Sequence, residues 1–330
     1  MTAVRPLRWG ILATGWIAEL FTRDAQLAGL QVVAVGSRSE ESARRFAAEF
    51  GLSRAHGSYA EMAADPEVDI IYVASPHPMH HDHTMLALEH GKHVLVEKPF
   101  TLNQGEAEQV REAARARGLL VTEAMWTRYL PHMVRIREIL ASGALGEVRA
   151  VFADHTSVFT PDPEHRLNAL ALGGGALLDL GVYPISFAWD ILGPPASIKA
   201  SARLGETGAD TEVATVMTHR DGTLSTSMTS SRGAGPNTAH IIGTTGRIDI
   251  DRLWFTAAGF THYDAGGEVV EQHRPAVEGR GMQFQALAAE TYVAEGKLDG
   301  ELMTLDDSVA IMGTLDEIRR QIGLTYPGEV

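Results

Sequence analysis

Along the first third of the chain, short continuous apolar runs alternate with longer stretches of helical periodicity. The runs fall at residues 7–12 (LRWGIL), 31–35 (QVVAV), 68–73 (VDIIYV), 94–96 (VLV) and 119–122 (LLVT). Runs of that kind fill strands buried on both faces of a parallel sheet. Between them, residues 16–28, 40–50, 59–64, 84–90 and 103–117 read as helices, with Asn103 as a cap and Gly51 and Gly118 as stops. Such βα alternation predicts a doubly wound parallel sheet. A further helix, residues 131–141, is expected to pack on the same domain.

Beyond Gly146 the pattern changes. Residues 148–156, 197–204, 212–219, 223–230, 239–243 and 247–250 are β-like and separated by Gly, Asp and Asn, with few helices among them. This predicts a large open, mainly antiparallel sheet. One long apolar helix, residues 176–192, is inserted, and helices at 282–295 and 305–322 close the chain. The predicted fold is therefore an α/β N-terminal domain followed by an α+β C-terminal domain, divided near Glu123 into residues 1–123 and 124–330. One face of the second sheet has too few helices to cover it and needs another partner.

Composition narrows the setting. At 330 residues the chain exceeds what one core supports comfortably, which agrees with two domains. With 28 Lys+Arg against 42 Asp+Glu, the net charge of −14 repels nucleic acid and anionic lipid, so neither is an expected partner. Cysteine is absent, which removes disulfides, thiolate catalysis and Cys-based zinc sites. The N-terminus lacks a basic stretch followed by an apolar one, and no run is read as long enough to span a bilayer. A cytoplasmic protein is expected.

The chemistry gathers where the parallel strands end, since open α/β sheets bind ligands at their carboxyl edge. After the first strand comes Ala13-Thr14-Gly15-Trp16-Ile17-Ala18, a form of the glycine-rich dinucleotide fingerprint with Ala13, Gly15 and Ala18 in its three slots. The helix that follows offers backbone N–H groups to a phosphate. The second strand ends in Ser37-Arg38, where an NAD enzyme places an acidic residue on the ribose hydroxyls. A hydroxyl and a guanidinium suit a 2′-phosphate instead, so NADP(H) is expected in preference to NAD(H). The third ends in Ala74-Ser75-Pro76-His77, and the fourth delivers Glu97-Lys98-Pro99, where the X-Pro bond allows a cis peptide. Trp126 and Arg128 leave the fifth, as a plug at the domain junction or as ligand contacts.

His77, His80, His81 and His83 stand within seven residues, and spacings of three and four suit a metal on a helix. No complementary ligand cluster appears elsewhere, so no metal is expected. His77 or His80 is expected to face the cofactor, with the others solvated. In the second half, Gly173-Gly174-Gly175 precedes the long helix and permits close approach to another backbone or a ligand. Asp179 and Tyr183 on that helix are four apart and are expected to share a face. The loop at residues 155–171 carries Asp162, Glu164, His165 and Arg166, groups suited to sugar hydroxyls.

The fingerprint, Ser37-Arg38, Ala74 to His77 and Glu97-Lys98-Pro99 together resemble the glucose–fructose oxidoreductase and inositol dehydrogenase (Gfo/Idh/MocA) family. The stretches EAMWTR (residues 123–128), GGGALLDLGVY (173–183) and LTYPGE (324–329) resemble its branch of dimeric trans-dihydrodiol dehydrogenases and NADP-dependent D-xylose dehydrogenases. The resemblance implies hydride transfer between NADP(H) and a secondary alcohol or carbonyl of a sugar, sugar derivative or trans-dihydrodiol. It implies that Tyr183 exchanges the proton and that Lys98 tunes it, because an ammonium beside a phenol favours the phenolate. Asp179 would orient substrate or Lys98, and Glu97 would hold the ribose. The turn at Ser75, Pro76 and His77 would pass the diphosphate and nicotinamide ribose. The open sheet would bury itself in a homodimer or a dimer of dimers. Two other readings remain: a non-catalytic NADP-binding regulator, and a carbonyl reductase for a non-sugar substrate.

Overall fold

The computed structural model describes residues 5–329 of the chain. Two compact units emerge, and the chain passes between them three times. The first takes the residues up to Trp126 and again Val277–Met312; the second takes Thr127–Ala276 and the residues from Gly313 onward. The expected boundary at Glu123 lies three residues before the first crossing. The return of residues 277–312 to the first unit corrects the expectation of a single cut. The helix at residues 131–141 belongs to the second unit, which corrects its expected placement on the first.

In the first unit the elements run β1 (Arg8–Leu12), α1 (Trp16–Leu27), β2 (Gln31–Gly36), α2 (Glu40–Phe50), β3 (Arg54–His56), α3 (Tyr59–Ala63), β4 (Ile70–Val73), α4 (His80–Glu89), β5 (His93–Glu97), α5 (Gln104–Arg117) and β6 (Val121–Ala124). The strands form one parallel sheet in the order β3-β2-β1-β4-β5-β6. The direction of winding reverses between β1 and β4, and that switch point opens a crevice at the carboxyl edge. Local signals set the helix limits. The Ser39, Ser58 and Asn103 side chains accept from backbone N–H groups three residues on, and Gly51 and Gly118 end their helices in the left-handed region. The core stacks Phe21 of α1 on Tyr72 of β4, ring centroids 3.7 Å apart, with Trp9 beside Phe21. Truncating a buried aromatic such as Phe21 to alanine costs about 3–5 kcal/mol.

The second unit carries α6 (Pro131–Ala141), β7 (Val148–Thr156), α7 (Val182–Leu192), β8 (Pro195–Leu204), β9 (Asp210–His219), β10 (Leu224–Ser230), β11 (Ala239–Gly243), β12 (Gly246–Ile250), β13 (Phe260–Asp264) and β14 (Val269–His273). The sequence reading missed β13 and β14. The eight strands are ordered β14-β13-β12-β11-β7-β10-β9-β8. All neighbours are antiparallel except β7 and β10, which pair in parallel at the centre. One face is covered by α7 and the π-helical turn Leu177–Gly181 that leads into it. The other face is not covered within this unit: Phe152, Val216, Leu224, Met228 and Ile242 are exposed. Register places Phe152 beside both Thr226 and His240, Thr226 beside Val216, and Ala150 between Leu224 and Ile242. These side chains therefore make one mainly apolar strip across four strands, β9, β10, β7 and β11.

The segment Leu170–Leu192 is long and apolar enough by composition to cross a membrane, which the sequence reading overlooked; 83% of its most apolar stretch is buried inside the fold. It is the core element of the second unit. After β14 the chain returns to the first unit with α8 (Gln283–Ala294), whose Glu290 accepts from the Trp9 indole N–H at 3.0 Å. The last helix, α9 (Leu305–Ile322), begins in the first unit and ends in the second.

Candidate active site

At the end of β1 the chain turns at Ala13, which holds φ at +92° and sends its N–H to the Gly36 carbonyl. The first fingerprint slot thus keeps a glycine-like conformation while carrying a methyl group, a strain of about 1 kcal/mol. Gly15 has an ordinary φ of −81°. A Cβ there would meet no protein atom within 4 Å, so the missing side chain leaves room for something outside the protein. Gly15 caps α1 without a side-chain acceptor, leaving the first-turn N–H groups of α1 to a ligand or water. Ala18, the third slot, is fully buried. An open backbone at a helix N-terminus fits a dinucleotide diphosphate, with Ala13, Thr14, Gly15, Trp16 and Ile17 around it.

At the end of β2, Ser37 is buried, with its hydroxyl accepting from Ser39 N, while Arg38 is exposed beyond it. Ser75, after β4, is fixed twice: its hydroxyl meets His83 Nδ1 at 2.9 Å and its carbonyl meets His80 Nε2 at 2.8 Å. The other nitrogen of His80 lies 2.8 Å from the carbonyl of Pro99, which follows the cis Lys98–Pro99 peptide. His80 is fully buried, and loss of solvent pushes its pKa down to about 4 although both carbonyls favour the charged ring. The neutral ring donates to one carbonyl at a time. His80 therefore ties the β4 turn to the β5 turn, which corrects its expected place facing a cofactor. His81 and His83 are half-buried, not solvated. Burial lowers the pKa of His83, and nearby Arg38 adds to that effect against Asp82.

Glu97 is buried at the end of β5 and accepts a short hydrogen bond from the Tyr72 hydroxyl; Lys98 beside it is half-buried. Pro76 is exposed and His77 half-buried. Trp126 is buried in the first unit. Arg128 lies in the second, where its Nε and Nη2 donate to the Ser186 hydroxyl and carbonyl. Of its two expected uses, plug or ligand contact, Arg128 shows here a buried tie onto α7. Among the described residues no group of three or more acidic, His or Cys side chains could hold a metal ion.

The second cluster belongs wholly to the second unit. Asp179 is buried on the π-helical turn, and both its oxygens accept from Arg166 at 3.1 Å. The ring of Tyr183 is buried against His155, edge-on at 5.0 Å, and against Phe255 at 5.6 Å. The glycine triplet serves protein contacts, not ligand approach. A Cβ on Gly174 would fall 2.8 Å from the Ala169 carbonyl, and one on Gly175, at φ +141°, would fall 2.1 Å from Asp210 Oδ1. Sequence reasoning missed Asp210, which is buried in β9 and accepts from Leu177 N at 2.7 Å. Tyr326, in the LTYPGE stretch, donates to the Gly174 carbonyl at 3.0 Å. Asp162 acts within its own loop, accepting from Glu164 N.

A parallel sheet wound in this order, with an open helix N-terminus at its switch point, defines a dinucleotide-binding oxidoreductase fold joined to an α+β unit. Residues 7–125 match the model of the oxidoreductase family with an NAD-binding Rossmann fold, and residues 133–249 match the GFO/IDH/MocA C-terminal domain. The chain belongs to the Gfo/Idh/MocA family of oxidoreductases, which act on CH–OH groups. It is 35% identical to the trans-1,2-dihydrobenzene-1,2-diol dehydrogenase of Mus musculus, over 97% of this chain and 98% of that one. It is 34% identical to the D-xylose 1-dehydrogenase (NADP(+)) of Hypocrea jecorina, over 97% and 93%. Among solved structures, a 3-ketoreductase of Actinomadura kijaniata in complex with NADP and TDP-benzene superposes with a TM-score of 0.84 at 28% identity, covering 96% of this chain and 98% of that one.

Proposed function

We propose that this protein is an NADP(H)-dependent dehydrogenase or reductase that moves a hydride to or from a secondary alcohol or carbonyl of a sugar, sugar derivative or trans-dihydrodiol. Ser37-Arg38 at the end of β2 carries the cofactor assignment: that turn holds a hydroxyl and an exposed guanidinium where an NAD enzyme needs a carboxylate. The NADP-dependent xylose dehydrogenase and the NADP-bound ketoreductase support it.

The bound nicotinamide would supply or take the hydride. The protein's part is to hold substrate and to move the hydroxyl proton. Tyr183 is assigned the proton exchange, Lys98 the ammonium that favours its phenolate, and Asp179 an orienting role. Structures of the ketoreductase include one variant with a tyrosine changed to phenylalanine and one with a lysine changed to alanine, the residue types put to work here. Tyr183 is walled by the rings of His155 and Phe255, and Arg166 pairs with Asp179 four residues before it.

The apolar strip across β7, β9, β10 and β11 supports a homodimer or dimer of dimers built on that sheet face. The deciding assay is a panel of aldopyranoses, trans-dihydrodiols and dicarbonyls read by NADPH absorbance. Turnover of a sugar or dihydrodiol is expected. Tight NADPH binding with no turnover across the panel would overturn the reading in favour of a regulator, and turnover of dicarbonyls alone would move the substrate class outside sugars.

A further inference from the structure

The return segment ahead of α8 is fastened to α1 by a single buried carboxylate. Asp24 accepts from Arg280 N with both oxygens, at 3.1 and 3.0 Å, and from Met282 N at 2.9 Å. Gly279, at φ +72°, comes so close that a Cβ would lie 2.3 Å from Asp24 Oδ1. Gln283 Nε2 closes the loop by donating to the Glu278 carbonyl at 2.8 Å. What this fastening displays is the side chain of Arg280. Its guanidinium lies 5.4 Å from the ring centre of Trp16 and 5.5 Å from that of Trp126, and the arginine is exposed.

The two tryptophans mark distant points on one edge of one sheet. Trp16 opens α1 directly after Gly15, beyond the carboxyl end of β1; Trp126 follows the carboxyl end of β6. Since β4 and β5 lie between those strands, the two ends are separated by roughly 14 Å at the usual strand spacing. A group in reach of both rings spans the carboxyl ends of β4 and β5, beside the turn where Gly15 leaves its backbone open. For stability alone the arrangement gains little, because exposed cation–π contacts contribute about 0.5–1 kcal/mol. Trp16 stays 64% exposed.

We infer that Arg280 is a cofactor-binding residue: it straps the bound dinucleotide from outside, its guanidinium meeting the diphosphate opposite the N-terminus of α1, with Asp24 as the residue that positions it. The inference rests on dinucleotide binding by the first unit. It separates two phosphate duties, the 2′-phosphate falling to Arg38 and the diphosphate to Arg280. A guanidinium matches two phosphoryl oxygens at once, which suits it to the second task.

Direct binding, read by quenching of tryptophan fluorescence and by calorimetry, tests this without turnover. Arg280→Met should weaken NADPH and NADH by the same factor, roughly tenfold or more, and leave 2′-AMP, which lacks the diphosphate, unaffected. Arg280→Lys should recover part of the loss. The melting temperature should stay unchanged, because the side chain is exposed. Undiminished NADPH affinity in Arg280→Met would overturn the inference, as would an equal loss for 2′-AMP. Failure of the unaltered protein to bind either dinucleotide would instead overturn the reading beneath it.

Discussion

Asp210→Asn tests whether a buried carboxylate holds the start of the helix that carries Asp179 and Tyr183. The Asp210 side chain is wholly removed from water; Oδ2 accepts from Leu177 N, and Oδ1 has no hydrogen-bond partner among the described residues. Burial raises its pKa from 3.8 to about 6, against the backbone N–H groups that favour the charged form. For an acid raised in the folded state, the native protein binds more protons than the unfolded chain between those values. Stability is therefore present in full below about pH 3.8 and lost as pH rises through about 6. The difference of about two pH units corresponds to ~3 kcal/mol, of which roughly 2 kcal/mol falls between about pH 4.5 and about pH 7.5. Asparagine keeps an acceptor for Leu177 N and cannot titrate. Urea unfolding at several pH values should show the stability of the natural protein, relative to Asp210→Asn, falling by roughly 2 kcal/mol across that interval. The surface carboxylates are common to both proteins and cancel in the difference, and equal m-values check that the two unfold from and to comparable states. Stabilities that run parallel with pH would refute the reasoning, since the carboxyl would then be no more buried than its unfolded counterpart.

Arg38→Ala should remove most of the preference for NADPH over NADH, a loss of roughly ten- to a hundred-fold in the ratio of dissociation constants, with NADH binding unchanged. Tyr183→Phe should lower turnover on the best substrate by about 10²-fold or more while NADPH binding persists. Lys98→Met should act similarly, and the double variant should lose far less than the product of the two; near-full turnover in Tyr183→Phe would move the acid–base role elsewhere. Phe152→Glu, in the middle of the exposed strip, should convert a dimer to monomer in analytical ultracentrifugation at micromolar concentration, and an unaltered protein that sediments as a monomer would show that the strip has no partner copy.

Much of the first unit was legible because its signals are local. Parallel strands buried on both faces read as apolar runs, and Asn103, Gly51 and Gly118 declare their helix ends through a side-chain acceptor and left-handed backbone. The missed strands β13 (FTHYD) and β14 (VVEQH) are five residues each, and polar groups interrupt both. The parallel pairing of β7 with β10 is equally silent in sequence, because it joins segments some seventy residues apart. Return of residues 277–312 to the first unit depends on Asp24 and Trp9, whose partners Arg280 and Glu290 lie more than 250 residues away. His80 was misplaced for a related reason. A histidine near a cofactor edge suggests a ligand contact, yet here two carbonyls from different turns enclose its ring and remove it from solvent.

The π-helical turn changes what Asp179 can do. An α-helix through Ala176 to Leu192 would place Asp179 and Tyr183 on one face; the i→i+5 bonding of Leu177–Gly181 admits an extra residue and re-aims everything ahead of it. Three fixed contacts hold that turn. Asp210 accepts from the Leu177 N–H at its start, Gly181 packs where a Cβ would stand 3.2 Å from Thr229 Oγ1, and Arg166 takes both oxygens of Asp179. A carboxylate gripped on both oxygens by a guanidinium is poorly placed to accept a proton, since protonation would forfeit the charged hydrogen bonds. The same grip makes it a rigid acceptor and orients the half-exposed arginine toward what enters the loop. Of the two groups on this helix, Asp179 is therefore suited to position rather than to accept a proton, which agrees with the proposed assignment of the proton to Tyr183, a ring held by His155 and Phe255.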